Sequence, residues 1–238
     1  MKRYIYKQLL AWKNEKEHKP LILNGARQVG KTYILREFGR NEYKRMAFFS
    51  LDRDQKALEI FNKGGRATDM LMALSAICHE DITPHDTLVV LDEIQNCPKA
   101  LEALKFFCEE TPEIDIVVAG SLLGLSIHSG VSYPVGKVEE LHLYPMTFLE
   151  FLEAMGKTQL VNLLENKNWT VINMLETELI SSLRQYYYVG GMPAAVLAHV
   201  EQKGLQEVRS IQKQIIQDYR RDFSKHAPDR EVPRINMV

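Results

Sequence analysis

Cysteine is scarce in this chain, and its spacing suits little but burial. Cys78, Cys97 and Cys108 are odd in number and form no Cys-x-x-Cys pair. That excludes a disulfide framework and argues against a cysteine zinc site, so the thiols are expected to be reduced and mostly buried. An excess of either charge is missing too: 30 Lys and Arg stand against 31 Asp and Glu, a formal net charge of −1. With no global field to hold a polyanion, any nucleic-acid contact would have to be a local patch. No stretch reaches the roughly 18 apolar residues of a membrane-spanning helix. The opening MKRYIYKQLLAWKNEKEHKP is too often charged to be a secretory leader. The expected compartment is therefore the cytoplasm, with no membrane partner. The 7 histidines show no pair at metal-ligand spacing on one helix, and there is no internal repeat or low-complexity segment.

What is present is a chain of 238 residues, 45% hydrophobic, enough for one large domain or two modest ones. Residues 3–12 have helical spacing. PLILNG then reads as a strand and YILREFGR as a helix, with Gly39 at a plausible C-cap. Further strands are expected at 45–52, 87–94, 114–121 and 138–146, with helices at 67–80 and 98–110. The run LVVLDEI and the run IDIVVAGS are continuously apolar, as strands covered on both faces are. Strands alternating with helices predict an α/β class with a parallel sheet. After Met146 the period becomes helical throughout, opening on a Thr147-x-x-Glu150 capping box. The expected division is a core over 1–146, a helical unit over 147–225 and a linker over 226–238.

The pattern Gly-x-x-x-x-Gly-Lys-Thr is met by Gly25, Ala26, Arg27, Gln28, Val29, Gly30, Lys31 and Thr32, followed by Tyr33. Glycine is needed there because backbone N–H groups must close around phosphate oxygens. Lys31 would reach the β- and γ-phosphates, Thr32 would ligate Mg²⁺, and the next helix would aim its positive end at the anion. A glycine-rich turn alone would explain the eight residues, but not the strand before them and the helix after. Downstream, Asp92 and Glu93 end an apolar strand, where two carboxylates are costly without a cation or donors nearby. Asp92 would hold the metal and Glu93 would orient or deprotonate the attacking water. Ser121 ends the next strand, where it could sense the γ-phosphate or simply cap a helix. Gln95 could relay phosphate state to Glu93, though a plain surface glutamine explains it as well.

Guanine specificity is not expected. NKGG (62–65) and NKNW (166–169) both lack the aspartate of Asn-Lys-x-Asp, and no LSGGQ-like stretch suggests a transporter ATPase. LILNGARQVGKTYILREFG, LVVLDEIQ, VVAGSLLG, LYPMTFLEFL and YVGGMPAAV, in this order, resemble the bacterial and archaeal AAA-type ATPases of the signal-transduction, STAND-like branch. The resemblance covers nearly the whole chain. It implies a P-loop ATP-binding core followed by a helical lid, and it places Pro193 of GGMP (190–193) near adenine. Read from the residues alone, Tyr186 to Val189 end a helix, the glycines stop it in the left-handed region and Pro193 starts the next. These relatives often carry Gly-Arg before the YP strand. Here Gly136-Lys137 stands instead, and lysine lacks the guanidinium fork. They also usually continue into a C-terminal domain similar to restriction-endonuclease folds, so the expected partner is an unknown protein or such an effector domain.

Other features have plainer readings. Tyr186, Tyr187 and Tyr188 could stack bases, yet they extend an apolar stripe with Ile172, Leu175, Leu179 and Leu183. The segment from Arg209 to Arg230 is mildly basic but carries acids throughout, as a solvated helix does. Gly64-Gly65 reads as a loop. The expected protein is a Mg·ATP-dependent ATPase of slow turnover, with Lys31 and Glu93 catalytic and Thr32 and Asp92 on the metal. A non-catalytic nucleotide switch and an ATPase acting on nucleic acid are the alternatives.

Overall fold

The computed structural model describes residues 1–121 and 133–226, with side chains through Asp222. It resolves into two compact units. One holds Ile5–Ala26 and Gly30–Leu143; the other holds Met1–Tyr4, Arg27–Val29 and the described residues from Tyr144 onward.

The first unit is a sheet of five parallel strands, β1 (Leu21–Gly25), β2 (Arg45–Ser50), β3 (Thr87–Asp92), β4 (Asp115–Ser121) and β5 (Glu139–Leu143), in the order β2-β3-β4-β1-β5. This is the α/β fold of P-loop NTPases. β1 and β3 are buried along their whole length and β4 along all but its last residue, which is why these runs are continuously apolar. β5 alternates in exposure, as an edge strand with one wet face does. All five expected strands are present, with the second, third and fifth shorter than expected by two or more residues.

Among the described residues, the α-helices of this unit are α1 (Ile5–Asn14), α2 (Lys31–Glu42), α3 (Gln55–Lys63), α4 (Ala67–Cys78) and α5 (Pro98–Glu110). α3 is not among the helices expected from the sequence; it buries only Ala57 and Phe61, one turn apart, too little apolar surface to show a long period. Gly39 is not the C-cap of α2. The helix runs on to Glu42 and is capped by Tyr43, whose N–H donates to Gly39 O at 3.3 Å. Gly39 lies inside the helix, close against β2: a Cβ there would come within 2.4 Å of the Met46 sulfur, which would have to shift. Of the thiols, Cys97 is buried, whereas Cys78 and Cys108 are only partly so.

The second unit is helical: α6 (Phe148–Ala154), α7 (Thr158–Glu165), α8 (Trp169–Met174), α9 (Glu176–Val189), α10 (Pro193–Val200) and α11 (Leu205–His226). The capping box opens α6 as expected, with Thr147 Oγ1 accepting from Glu150 N at 3.2 Å and Glu150 Oε2 accepting from Thr147 N at 2.8 Å. The Glu150 carboxylate also pairs with Arg3 Nε at 3.1 Å and accepts from Tyr4 N at 2.7 Å. Each nitrogen of the Arg3 guanidinium donates a hydrogen bond, the other two going to Val29 O at 3.0 Å and Tyr144 O at 2.5 Å. Buried charges survive only when paired and hydrogen-bonded in this way.

Between α9 and α10, Gly190 has φ 75 and ψ −176 rather than the left-handed helical pair, a conformation open essentially to glycine alone. Gly191 is required by close approach: its carbonyl accepts from Met146 N at 2.7 Å, and a Cβ there would meet Met146 O at 2.3 Å. Tyr186 Oη donates to the same Met146 carbonyl at 2.8 Å and its ring packs with Phe148 and Phe151. The LYPM and GGMP segments are therefore clasped to each other, and Tyr186 is a packing residue. Tyr187 remains 75% exposed.

Candidate functional site

β1 and β4 are neighbours whose onward connections run to opposite sides of the sheet, β1 toward β2 and β4 toward β5. Ligands of open α/β sheets gather in the crevice at the carboxyl ends of such a pair. Gly25 and Ser121, the last residues of the two strands, are register partners, and β3 ends beside them at Asp92. The strand order thus draws together three segments that are remote in sequence.

The loop leaves β1 at Gly25 and enters α2 at Lys31. Gly30 sits at φ 99, ψ 22 as the N-cap, and no side chain caps the helix. An α-helix start without a capping side chain presents backbone N–H donors and a positive dipole end to an anion. Lys31 is buried, its Nζ donating to Gly25 O at 2.8 Å and Ala26 O at 2.9 Å. Thr32 Oγ1 donates to Asp92 Oδ2 at 2.7 Å across a separation of 60 residues. A hydroxyl and a carboxylate in contact offer the hard oxygen donors that Mg²⁺ prefers. Tyr33 is 59% exposed one residue further along α2.

Glu93 follows Asp92 in the left-handed region, φ 57 and ψ 45, and its N–H donates to Asp92 Oδ1 at 3.1 Å. A non-glycine residue held there is uncommon and marks a constrained position. Its carboxylate accepts from Gln95 Nε2, while Gln95 Oε1 accepts from Ser121 N at 3.4 Å. Gln95 is therefore not a plain surface glutamine. It is half-buried and bridges Glu93 to the end of β4. The Ser121 N–H is engaged in this bond; the helix it would either cap or leave for the γ-phosphate would fall on residues 122–132, outside those described.

Arg27, Gln28 and Val29 belong by their contacts to the helical unit. Arg27 pairs with Asp222 at 2.7 Å, Gln28 Nε2 donates to Asp218 Oδ2 at 2.9 Å, and Tyr219 Oη donates to Arg27 O at 2.7 Å. Pro193 is the first residue of α10. Lys137 forms a half-exposed ion pair with Glu109 at 3.0 Å, which lifts the lysine above its ordinary range through that hydrogen bond and charge. The partners missed from sequence are Arg3, Asp218, Tyr219 and Asp222. Nothing local marks them, since each acts on residues far away in the chain.

The family model described as AAA domain matches residues 17–152, and one described as a domain of unknown function (DUF8612) matches residues 180–238. Among solved structures, the Walker-type ATPase PABY2304 of Pyrococcus abyssi is similar at 16% identity and a TM-score of 0.53, covering 92% of this chain and 72% of its own. Drosophila ORC bound to DNA is similar at 14% identity and a TM-score of 0.51, covering 88% of this chain and 65% of its own. At such identities the likeness is one of fold. A comparison with curated proteins finds no match.

Proposed function

The chain belongs to the AAA domain family of P-loop ATPases, and from that premise we propose that it binds ATP with Mg²⁺, hydrolyses it slowly and changes conformation with the nucleotide. The observation that carries this reading is the Thr32–Asp92 bond of 2.7 Å. It brings a loop hydroxyl and a strand-end carboxylate together directly beside Glu93.

Thr32 and Asp92 would hold Mg²⁺, which when bound supplies charge neutralisation at the phosphates. The backbone N–H groups of the loop would receive the phosphate oxygens, and Lys31 would exchange its two carbonyl acceptors for the β- and γ-phosphates. Glu93 would accept a proton from the attacking water as the new P–O bond forms and the bond to the ADP oxygen breaks. A carboxylate already held by an amide must leave that partner before it can meet a water, and the Gln95–Glu93 contact accordingly supports slow turnover. The same contact favours a second reading, in which the nucleotide is held as a switch for a partner protein or effector domain and hydrolysis is incidental.

Lys31→Ala should weaken ATP binding at least 100-fold by calorimetry. Glu93→Gln should bind as wild type does and release no phosphate in a single turnover. Equal ATP affinity in Lys31→Ala and wild type would remove the site assignment. A wild type that binds ATP but releases no phosphate over hours would leave the switch.

A further inference from the structure

We propose that α11 positions the phosphate loop: Tyr219 and Asp222, with Asp218 one turn before Asp222, hold Arg27–Val29 in the shape that receives phosphate, so that nucleotide affinity and the order of α11 rise and fall together. The proposal rests on the reading of Gly25–Thr32 as the ATP site and adds what regulates that site.

Gln28 supplies the first argument. It is not glycine, yet it sits at φ 62, where a side-chain-bearing residue is strained and persists only if its surroundings over-determine it. Those surroundings come from the helical unit. The Gln28 amide is held by Asp218 at 2.9 Å, the carbonyl before it is held by Tyr219 Oη at 2.7 Å, and the carbonyl after it is held by Arg3 Nη1 at 3.0 Å.

The second argument is the planarity of the peptide. In a trans peptide the C=O and the following N–H point in opposite directions. Fixing Arg27 O on Tyr219 turns the N–H of Gln28 away from α11, and fixing Val29 O on Arg3 turns the N–H of Gly30 away from Arg3. Two of the loop's donors are thus aimed by groups that touch no phosphate. The Arg27 and Gln28 side chains, which a backbone cradle does not need, anchor the loop to Asp222 and Asp218. The Asp222 side chain is 10% exposed against 43% for Arg27, so the buried partner is on the helix.

The third argument is linkage. If the grip of α11 favours the binding shape, nucleotide must strengthen that grip by the same factor. Asp218 and Asp222 are four residues apart and share one face of α11. A displacement of this face would therefore loosen both anchors at once.

The test uses the whole chain and a fluorescent ATP analogue. Tyr219→Phe removes one hydroxyl and Asp222→Asn one charge; each should raise the dissociation constant about fivefold, the size expected for one hydrogen bond. Phosphate release from the saturated protein should not change, which separates positioning from catalysis. Gln217→Ala, an exposed change on the same helix, should do nothing. In wild type, ADP should slow hydrogen exchange along residues 215–222, and the Tyr219→Phe/Asp222→Asn double variant should lose that protection. Should Asp222→Asn fail to fold, Asp218→Asn replaces it. Dissociation constants within twofold of wild type, or tighter binding, in folded variants overturn the proposal while leaving the ATP site intact. A wild type that binds no ATP, indistinguishable from Lys31→Ala, overturns both.

Discussion

In the sheet unit, β1, β3 and β4 are buried almost end to end and pair in regular register. In the helical unit α8 buries none of its residues, exposing Trp169 and Met174, and α6 starts on an ion pair that reaches back 147 residues to Arg3. One unit is held by apolar runs that any window of sequence reveals. The other packs smaller apolar clusters around Phe151 and Leu152 and adds to them a few buried polar contacts made at long range. Substitutions should therefore act differently in the two, broadly and gradually in the sheet, sharply at single charged residues among the helices.

The largest expected effect lies in the Arg3–Glu150 pair. The two side chains are 6% and 5% exposed, so removing the guanidinium strands a carboxylate in the interior. Arg3→Met should cost about 3–5 kcal/mol, the usual penalty for breaking a buried pair from one side. Hydrogen exchange read by segment would check it: amides of α6 should lose protection while those of β3 keep theirs. A loss below about 1 kcal/mol would mean that the helical unit does not hinge on this pair, and the contrast between the units would fail.

The same contrast explains what the sequence made legible. PLILNG, TLVVLDEI and IDIVVAGS declare themselves as strands because burial on both faces makes most of their positions apolar, the buried polar residues falling at or near the strand ends as Asn24, Thr87, Asp92 and Asp115 do. Gly25, Gly30, Lys31, Thr32, Asp92 and Glu93 stand out because the residue types and their strand-end positions carry the chemistry. Gly39 misled because glycine stops helices far more often than it makes room inside them, and only the Met46 side chain on a neighbouring strand reveals the difference. Gln95 could not be placed without knowing that β4 lies beside β3. Arg3, Asp218, Tyr219 and Asp222 carry no local pattern at all, since their partners are set by how distant segments fold back.

Gln95 offers a smaller test inside the sheet unit. The Ser121 N–H marks the oxygen end of its amide and so turns the nitrogen to Glu93. Donation to the carboxylate holds it in place and occupies an oxygen that a water would otherwise meet. Gln95→Ala should leave ATP affinity unchanged and raise the single-turnover rate about fivefold, the rate equivalent of roughly 1 kcal/mol for one hydrogen bond. A tenfold slower variant would assign Gln95 to orienting Glu93 rather than restraining it.

The smallest effect concerns His18, a polar latch on the sheet unit. Its Nε2 lies 2.9 Å from Asp115 Oδ1, Glu15 O is 3.0 Å from its Nδ1, and the Trp12 ring meets it edge-on at 4.5 Å. The hydrogen bond to Asp115 raises the imidazole above its ordinary 6.5 against the opposing effect of burial, with the Asp115 and Glu139 charges adding to it. Because the folded value is raised, the stabilisation is complete below pH 6.5 and fades as pH climbs through the raised value. His85, 3.9 Å from the same carboxylate but largely exposed, should contribute far less. Denaturation midpoints measured from pH 6 to 8, around the ordinary histidine value, should fall for wild type and flatten in His18→Gln, which keeps a donor but cannot charge. An unchanged slope in that variant would return the pH dependence to other groups and leave the sheet unit as apolar in its energetics as its strands appear.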